Sequence, residues 1–260
     1  MLPVPLNKTT HQIFIMKKSS IVYGIHPLIE AIQANKKIKT LFLQKEKGSS
    51  AYKKLIQISR KKNIKIQIVP QHQFFKLKNK NHQGVFAEID PIKTFSIKHL
   101  LPLFLQKKNP ILIILDRITD VRNFGSIIRT SVCAGADAII IPHKSNAMIG
   151  SDTIKTSSGA VFKIPICREQ NIINTIKFLI NHGIKIISAI ETSPHDWYTV
   201  DFSGPFALIL GNEEKGISQK YLEISCETVK IPSIGGISSL NVSVACGILL
   251  YEVFRQRKLN

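Results

Sequence analysis

ILIILDRITDVRNFGSIIRT, residues 111–130, is the stretch that decides the fold. ILIILD (111–116) is apolar without alternation until its last residue, the pattern of a strand buried on both faces. Asn123–Ala134 reads as the helix that follows it. The alternation continues downstream. Ala138–Ile141 is a strand stopped by Pro142, and Phe162–Ile166 is a strand. Ile172–His182 is a helix stopped by Gly183. Ile184–Ile190, Phe206–Leu210 and Thr228–Ile231 are strands, and Leu240–Arg257 is a long C-terminal helix. Apolar strands separated by helices predict an α/β domain with a parallel sheet covered on both faces. Ligands of such sheets bind at the carboxyl ends of the strands. Three loops fall there: 116–129, 210–218 and 231–241.

Upstream the runs are shorter. Ile21–Val22 is a strand, and Gly24 turns the chain into a helix over His26–Ala34. Ile38–Leu43, Ile64–Val69 and Val85–Ile89 are strands, and Tyr52–Lys62 is a helix with Leu55, Ile56 and Ser59 inward. These predict a small α/β sandwich over 20–90. Residues 91–109 carry two prolines and a basic end, and read as a linker with a short helix before a second domain at 110–260. Residues 1–19 read as a disordered leader, with a start at Met16, just before the first patterned segment, as the other reading of residues 1–15.

Charge divides the chain at the same place. Of its 260 residues, 36 are Lys or Arg and 17 are Asp or Glu, a net charge of +19. Residues 1–109 hold 21 basic and 4 acidic side chains; residues 110–260 hold 15 and 13. A basic first module beside a balanced second one points to a polyanion met by the first. The lysines are spread over strands and helices (Lys36, Lys37, Lys39, Lys53, Lys54, Lys61, Lys62, Lys65, Lys76, Lys78, Lys80). They do not form one amphipathic basic helix, which favours nucleic acid over a membrane surface. Lys36, Lys37, Lys39, Lys53, Lys54, Lys61 and Lys62 are the expected RNA contacts.

Several classes are excluded. Four scattered cysteines without a C-x-x-C pair give neither a disulfide framework nor a zinc ribbon, so no metal is expected and the compartment is a reducing, cytoplasmic one. No apolar run approaches the roughly 18 residues of a membrane span. GNEEKGIS (211–218) approaches a phosphate-binding loop, but Ile217 stands where Lys is needed, and Glu213 and Glu214 repel phosphate.

Taken together, LDRITDVRNFGSIIRT (115–130), LGNEEKGIS (210–218) and IPSIGGISSLNVSVACGILLYEVFRQR (231–257) resemble the three motifs of the SpoU/TrmH family of RNA ribose 2′-O-methyltransferases, of the SPOUT class. IVYGIHPLIEAIQANKKIKTLFLQ (21–44) and HQGVFAEI (82–89) resemble the substrate-binding domain of the branch that contains bacterial 23S rRNA guanosine methyltransferases. The resemblance implies an L30-like α/β domain ahead of a catalytic domain with a deep trefoil knot. It also implies S-adenosyl-L-methionine as cofactor and a homodimer, with Leu240, Val244, Ile248 and Tyr251 offering an apolar helix surface.

The resemblance assigns Gly211, Gly216, Ile231, Gly236 and Leu240 to the cofactor, and Asn123, Arg129, Glu213, Ser239 and Asn241 to the chemistry. Arg129 is the implied activator of the ribose hydroxyl. Asn123, at the start of its helix, has a second reading as an N-cap. Val121 and Ser126 stand where the family usually has Pro and Ala. Other acceptors, a tRNA ribose or another rRNA position, stay open. So does a non-catalytic rRNA-binding factor, against which the intact motif residues argue.

Overall fold

The computed structural model describes residues 20–44, 49–236 and 239–259. The expected leader over 1–19 lies outside them. Two layers of sheet follow one another. The first contains β1 (Ser20–Tyr23), α1 (Ile25–Gln33), β2 (Ile38–Gln44), α2 (Ser50–Lys61), β3 (Lys65–Val69), a 3₁₀ turn (Gln71–Leu77) and β4 (Val85–Ile89). Its order is β1-β4-β2-β3, with β4 antiparallel to β1 and β2, and β2 parallel to β3. The β2–α2–β3 crossover is set by local chemistry. Ser49 caps α2 by accepting from the Tyr52 amide at 3.2 Å. Leu55 and Ser59 are fully buried, the Ser59 hydroxyl returning its bond to the Leu55 carbonyl at 2.7 Å. Asn63 then turns left-handed, φ 53°, into β3.

The second layer contains α3 (Ile97–Phe104), β5 (Ile111–Leu115), α4 (Val121–Cys133), β6 (Ala138–Pro142), α5 (Ser151–Thr156), a 3₁₀ turn (Ala160–Phe162), β7 (Ile166–Glu169), α6 (Ile172–Ile180), β8 (Lys185–Ala189), β9 (Phe206–Leu210), α7 (Gln219–Leu222), β10 (Glu227–Val229) and α8 (Val242–Leu259). Its six strands are all parallel, in the order β10-β8-β9-β5-β6-β7. Every residue of β5 and β9 is buried. Alternate side chains of β5 serve two cores. Ile111, Ile113 and Leu115 pack with Phe124, Ile127 and Ile128 of α4 and Cys246, Leu249 and Val253 of α8. Leu112 and Ile114 pack with Ile97 and Leu101 of α3 and Ile176 and Leu179 of α6. The 91–109 stretch thus delivers α3 to the second core, with Phe95 bridged to Cys167 at the edge of β7.

Three local expectations change. The strand expected over Phe162–Ile166 starts only at Ile166, because Pro165 has no N–H for the ladder. The turn before it is bent by Gly159 at φ 86°, where a Cβ would lie 2.6 Å from Glu30 Cβ. The helix expected from Asn123 starts at Val121. Asp120 is its cap, its carboxylate accepting from the Arg122 amide, so Asn123 is not the N-cap. Finally, α5 and α7 are elements that no sequence pattern announced.

The two layers share one core, in which Val22, Leu28 and Ile29 of the first meet Ile154 and Val161 of the second. Polar ties flank it. Tyr23 donates to Asp152 Oδ1 at 2.6 Å, Lys80 to Asp152 Oδ2 at 2.7 Å, and Lys163 pairs with Glu30 at 2.7 Å.

Candidate active site

The loops after β5, β9 and β10 meet at the carboxyl ends of their strands. Asp116, the first residue past β5, is 1% exposed. It accepts from the Ser218 amide and hydroxyl, both at 2.7 Å, and from Arg117 Nε at 2.9 Å and Nη2 at 3.0 Å. Arg117 sits at φ 58°, a conformation an L-residue holds only when its surroundings dictate it. Its Nη2 also reaches the Gly216 carbonyl at 3.3 Å, and its own carbonyl accepts from Asn212 Nδ2 at 3.0 Å. The bond to Asp116 pushes the Arg117 guanidinium further up. One buried carboxylate therefore fixes the first loop to the second.

The second loop closes on itself. Asn212 and Gly216 exchange backbone bonds of 3.2 and 2.8 Å, and Asn212 Oδ1 accepts from the amides of Glu214 and Lys215. Gly216 is at φ 59°. A Cβ on Gly211 would lie 2.4 Å from Gly216 C and 2.5 Å from Ile217 N, so only glycine fits there.

Asn241 belongs to the third loop. Its Oδ1 accepts from the Ser243 amide at 2.9 Å and hydroxyl at 2.6 Å, which satisfies the start of α8. Its Nδ2 donates to Asn123 Oδ1 and to Glu213 Oε1, both at 2.9 Å. Asn123 Nδ2 donates to the same Glu213 oxygen at 2.7 Å. Three residues that the sequence put in three separate loops form one hydrogen-bonded triad.

Beside the triad lies a cleft of about 460 Å³, within the size range of ligand pockets. Gly211, Glu213, Gly216, Ile231, Ser239 and Leu240 line it, as expected; Gly236, at φ 76°, shapes the third loop outside the lining. Arg129 also lies outside the lining. It stands six residues along α4 from Asn123, about 9 Å by helical rise, exposed, with Nη1 3.4 Å from Ser158 Oγ. Sequence reasoning missed Asp116, Arg117, Asn212, Ser218 and the lining pair Glu191 and Thr192. Asp116 had a signal: a carboxylate directly ending a run of five buried residues.

The rim is acidic, with Glu191, Glu213 and Glu214 against Lys230, which itself faces Asp196 at 3.8 Å. Cys246 lies buried in α8 beside the cleft-lining Ala245, and burial pushes its thiol up to about 12. It stays protonated at neutral pH and is no nucleophile. Among the described residues no cluster of His, Cys, Asp and Glu is arranged to hold a metal, and no helix is long and apolar enough to cross a membrane. Lys36, Lys37, Lys39, Lys53, Lys54, Lys61 and Lys62 are all exposed on the first layer. Lys62 Nζ donates to Asn35 Oδ1 at 3.1 Å, which ties the end of α2 to the α1–β2 turn.

This arrangement of loops has relatives. Residues 110–251 match the SpoU rRNA Methylase family, and residues 21–95 match the family described as RNA 2′-O ribose methyltransferase substrate binding. The chain belongs to the SpoU rRNA methylase family. It is 34% identical to the 23S rRNA (guanosine-2′-O-)-methyltransferase RlmB of Blochmanniella floridana, over 92% of this chain and 96% of that one. It is 32% identical to the RlmB of Photobacterium profundum, over 93% and 99%. Among solved structures it is similar to an AdoMet-bound rRNA methyltransferase from Sinorhizobium meliloti, with TM-score 0.76, 26% identity and coverage of 92% and 87%. The SpoU methyltransferase AviRb of Streptomyces viridochromogenes, in complex with AdoMet, shares the fold with TM-score 0.77 at 24% identity, over 92% and 91%.

Proposed function

We propose that this SpoU-family chain transfers a methyl group from S-adenosylmethionine to the ribose 2′-OH of a guanosine in 23S rRNA, in the cytoplasm. The observation that carries it is the Asn123–Glu213–Asn241 triad joining the three motif loops beside the cleft. The guanosine and the 23S acceptor rest on the RlmB relatives, which match this chain over nearly its whole length.

The cleft fits the cofactor on its own chemistry. S-adenosylmethionine carries a sulfonium and an ammonium, and the rim holds three carboxylates in an otherwise basic protein. Ile217, Ile231 and Leu240 give an apolar wall, and the glycines at 211 and 216 bring backbone amides and carbonyls close to a ligand. When bound, the cofactor supplies an electrophilic methyl for in-line displacement. Gly211, Ile231, Leu240, Gly216 and Gly236 are the residues that hold it or shape the loops around it.

The protein's part is alignment and charge. Holding the ribose oxygen in line removes much of the entropic barrier. The 2′-OH is a weak acid; as the oxygen–methyl bond forms and the methyl–sulfur bond breaks, leaving a neutral thioether, the hydroxyl proton passes to solvent water. A guanidinium has five N–H donors and no acceptor, so Arg129 does not serve as the base. Its role is to stabilise the developing alkoxide electrostatically. Asn123, Glu213 and Asn241 fix the loops around the acceptor, and Ser239 lines the approach. Arg129 stands outside the cleft of its own chain, and α8 exposes Val244, Tyr251 and Phe254, with Leu240 exposed just before it. Both features support a homodimer that packs along α8.

The test is methyl transfer from labelled S-adenosylmethionine to separated RNA fractions lacking the modification, followed by nucleoside analysis. 2′-O-methylguanosine in large-subunit rRNA is the expected product. Label confined to tRNA would overturn the acceptor, and no label with cofactor binding intact would overturn the activity.

A further inference from the structure

A second concavity lies far from the cleft. It has a volume of about 450 Å³ and runs between the two layers, where the α1–β2 turn, the end of β4 and the turn before β7 converge. Lys36, Lys37, Lys93 and Lys163 stand around it, with Asp90 as the opposing charge. Lys163 is neutralised by Glu30. Lys36, Lys37 and Lys93 have no carboxylate partner among the described residues. Two aromatic rings face the same space. Lys36 Nζ lies 5.7 Å over the Phe162 ring. Phe95 is 44% exposed although its backbone is pinned to the edge of the sheet, its amide to the Ile166 carbonyl and its carbonyl to the Arg168 amide, both at 3.0 Å. An exposed phenyl ring held on a fixed backbone, beside unpaired lysines, is the pairing that single-stranded nucleic acid requires: cations for phosphates and a flat apolar face for a base.

We infer that this groove between the layers binds a single-stranded segment of RNA, with Lys36, Lys37 and Lys93 on its phosphates and Phe95 stacked on a base. The inference rests on the RNA reading above and deepens it. The groove opens at the amino end of β7, whereas the cleft is at the carboxyl ends of β8, β9 and β10. β9 and β7 are three strand positions apart, about 14 Å sideways, and a strand length separates the two ends, so the sites are on the order of 20 Å apart. The groove therefore grips RNA flanking the target and not the target itself. It also joins residues of both layers. RNA bound there registers the substrate on the catalytic sheet as well as on the basic layer.

The experiment uses the full chain and a fluorescein-labelled dodecauridine, titrated at several salt concentrations, with S-adenosylmethionine affinity measured alongside. Phe95→Ala is expected to weaken oligonucleotide binding about fivefold or more through lost stacking, with the salt slope unchanged. Lys93→Ala is expected to reduce the slope of log K against log salt by about 0.7, the value for one phosphate contact on a single strand. Both variants keep wild-type cofactor affinity, and with 23S rRNA they raise KM and leave kcat in place. Wild-type oligonucleotide affinity in both variants, or no binding by the wild type, overturns the inference. Weakened binding in the variants of a chain that does not methylate 23S rRNA upholds the groove and overturns the acceptor instead.

Discussion

The basic layer and the carboxyl ends of the second sheet handle polar groups in opposite ways. In the first layer, Lys36, Lys37, Lys39, Lys53, Lys54 and Lys61 stand exposed without a carboxylate partner among the described residues. At the strand ends, Asp116 alone gathers four hydrogen bonds, and Asn123, Glu213 and Asn241 are bonded to one another. Scattered cations bind a polyanion by a sum of similar, replaceable terms. A bonded network fixes positions, and each member constrains the rest. Substitutions should therefore erode the first region gradually and break the second abruptly.

The largest break is expected at Arg129. Arg129→Ala should lower the single-turnover rate about 10²–10³-fold, the scale for losing one charge-stabilising group, with cofactor affinity unchanged in calorimetry. Arg129→Lys keeps the charge and loses the fork, so full activity in that variant would refute a role for guanidinium geometry. Gly211→Ala comes next. Its Cβ would lie 2.4 Å from backbone at Gly216, where no side chain can move aside. The second loop must open, and cofactor affinity should fall at least about tenfold, a loss of about 1.4 kcal/mol. Lys53→Ala with Lys54→Ala lies on the other side of the comparison. A few-fold rise in KM for rRNA at low salt, fading by high salt, would mark gradual behaviour. An abrupt loss of kcat there would erase the distinction between the regions.

The same contrast explains what the sequence revealed. ILIIL could be read as a doubly buried strand because alternate side chains must each find a core, and both cores are there. The three loops were legible because strand ends gather ligands and their glycines mark close approach. The bonds within the site were not legible. Asn123, Glu213 and Asn241 meet across separations of 90, 118 and 28 residues, and no local pattern encodes that. Nor does SDTIKT announce α5. Its six residues are too few to hold a helix alone, and it exists because Gly125 lets Thr156 pack against α4, where a Cβ would lie 2.0 Å from Thr156 Oγ1. The groove residue Phe95 fell in a stretch read as linker, and only the sheet edge that pins it gives it a place.

The smallest effect tests the seam between the two regions. The Tyr23 hydroxyl crosses it to Asp152. Burial, helped by that bond and by the Asp152 charge, pushes the Tyr23 phenol above its usual range. Burial also raises the Asp152 carboxyl, but hydrogen bonds from Lys80 and Tyr23 and the Lys80 charge outweigh it and hold the group below its usual range. A raised phenol stabilises the fold fully below its unfolded value, about pH 10, and that contribution is lost as pH rises through the folded value. A depressed carboxyl contributes above its unfolded value, about pH 4, and loses it as pH falls through the folded value. Stability from this node is thus flat through neutral pH and falls at both ends. Tyr23→Phe should lower the free energy of unfolding at pH 7 by about 0.5–1.5 kcal/mol, one net hydrogen bond. In urea titrations it should also remove the alkaline fall that belongs to Tyr23, while an acid fall from Asp152, still bonded by Lys80, persists. An alkaline fall of wild-type size in the variant would place the alkaline sensitivity elsewhere and leave the Lys80–Asp152 and Lys163–Glu30 pairs and the shared apolar core to hold the seam.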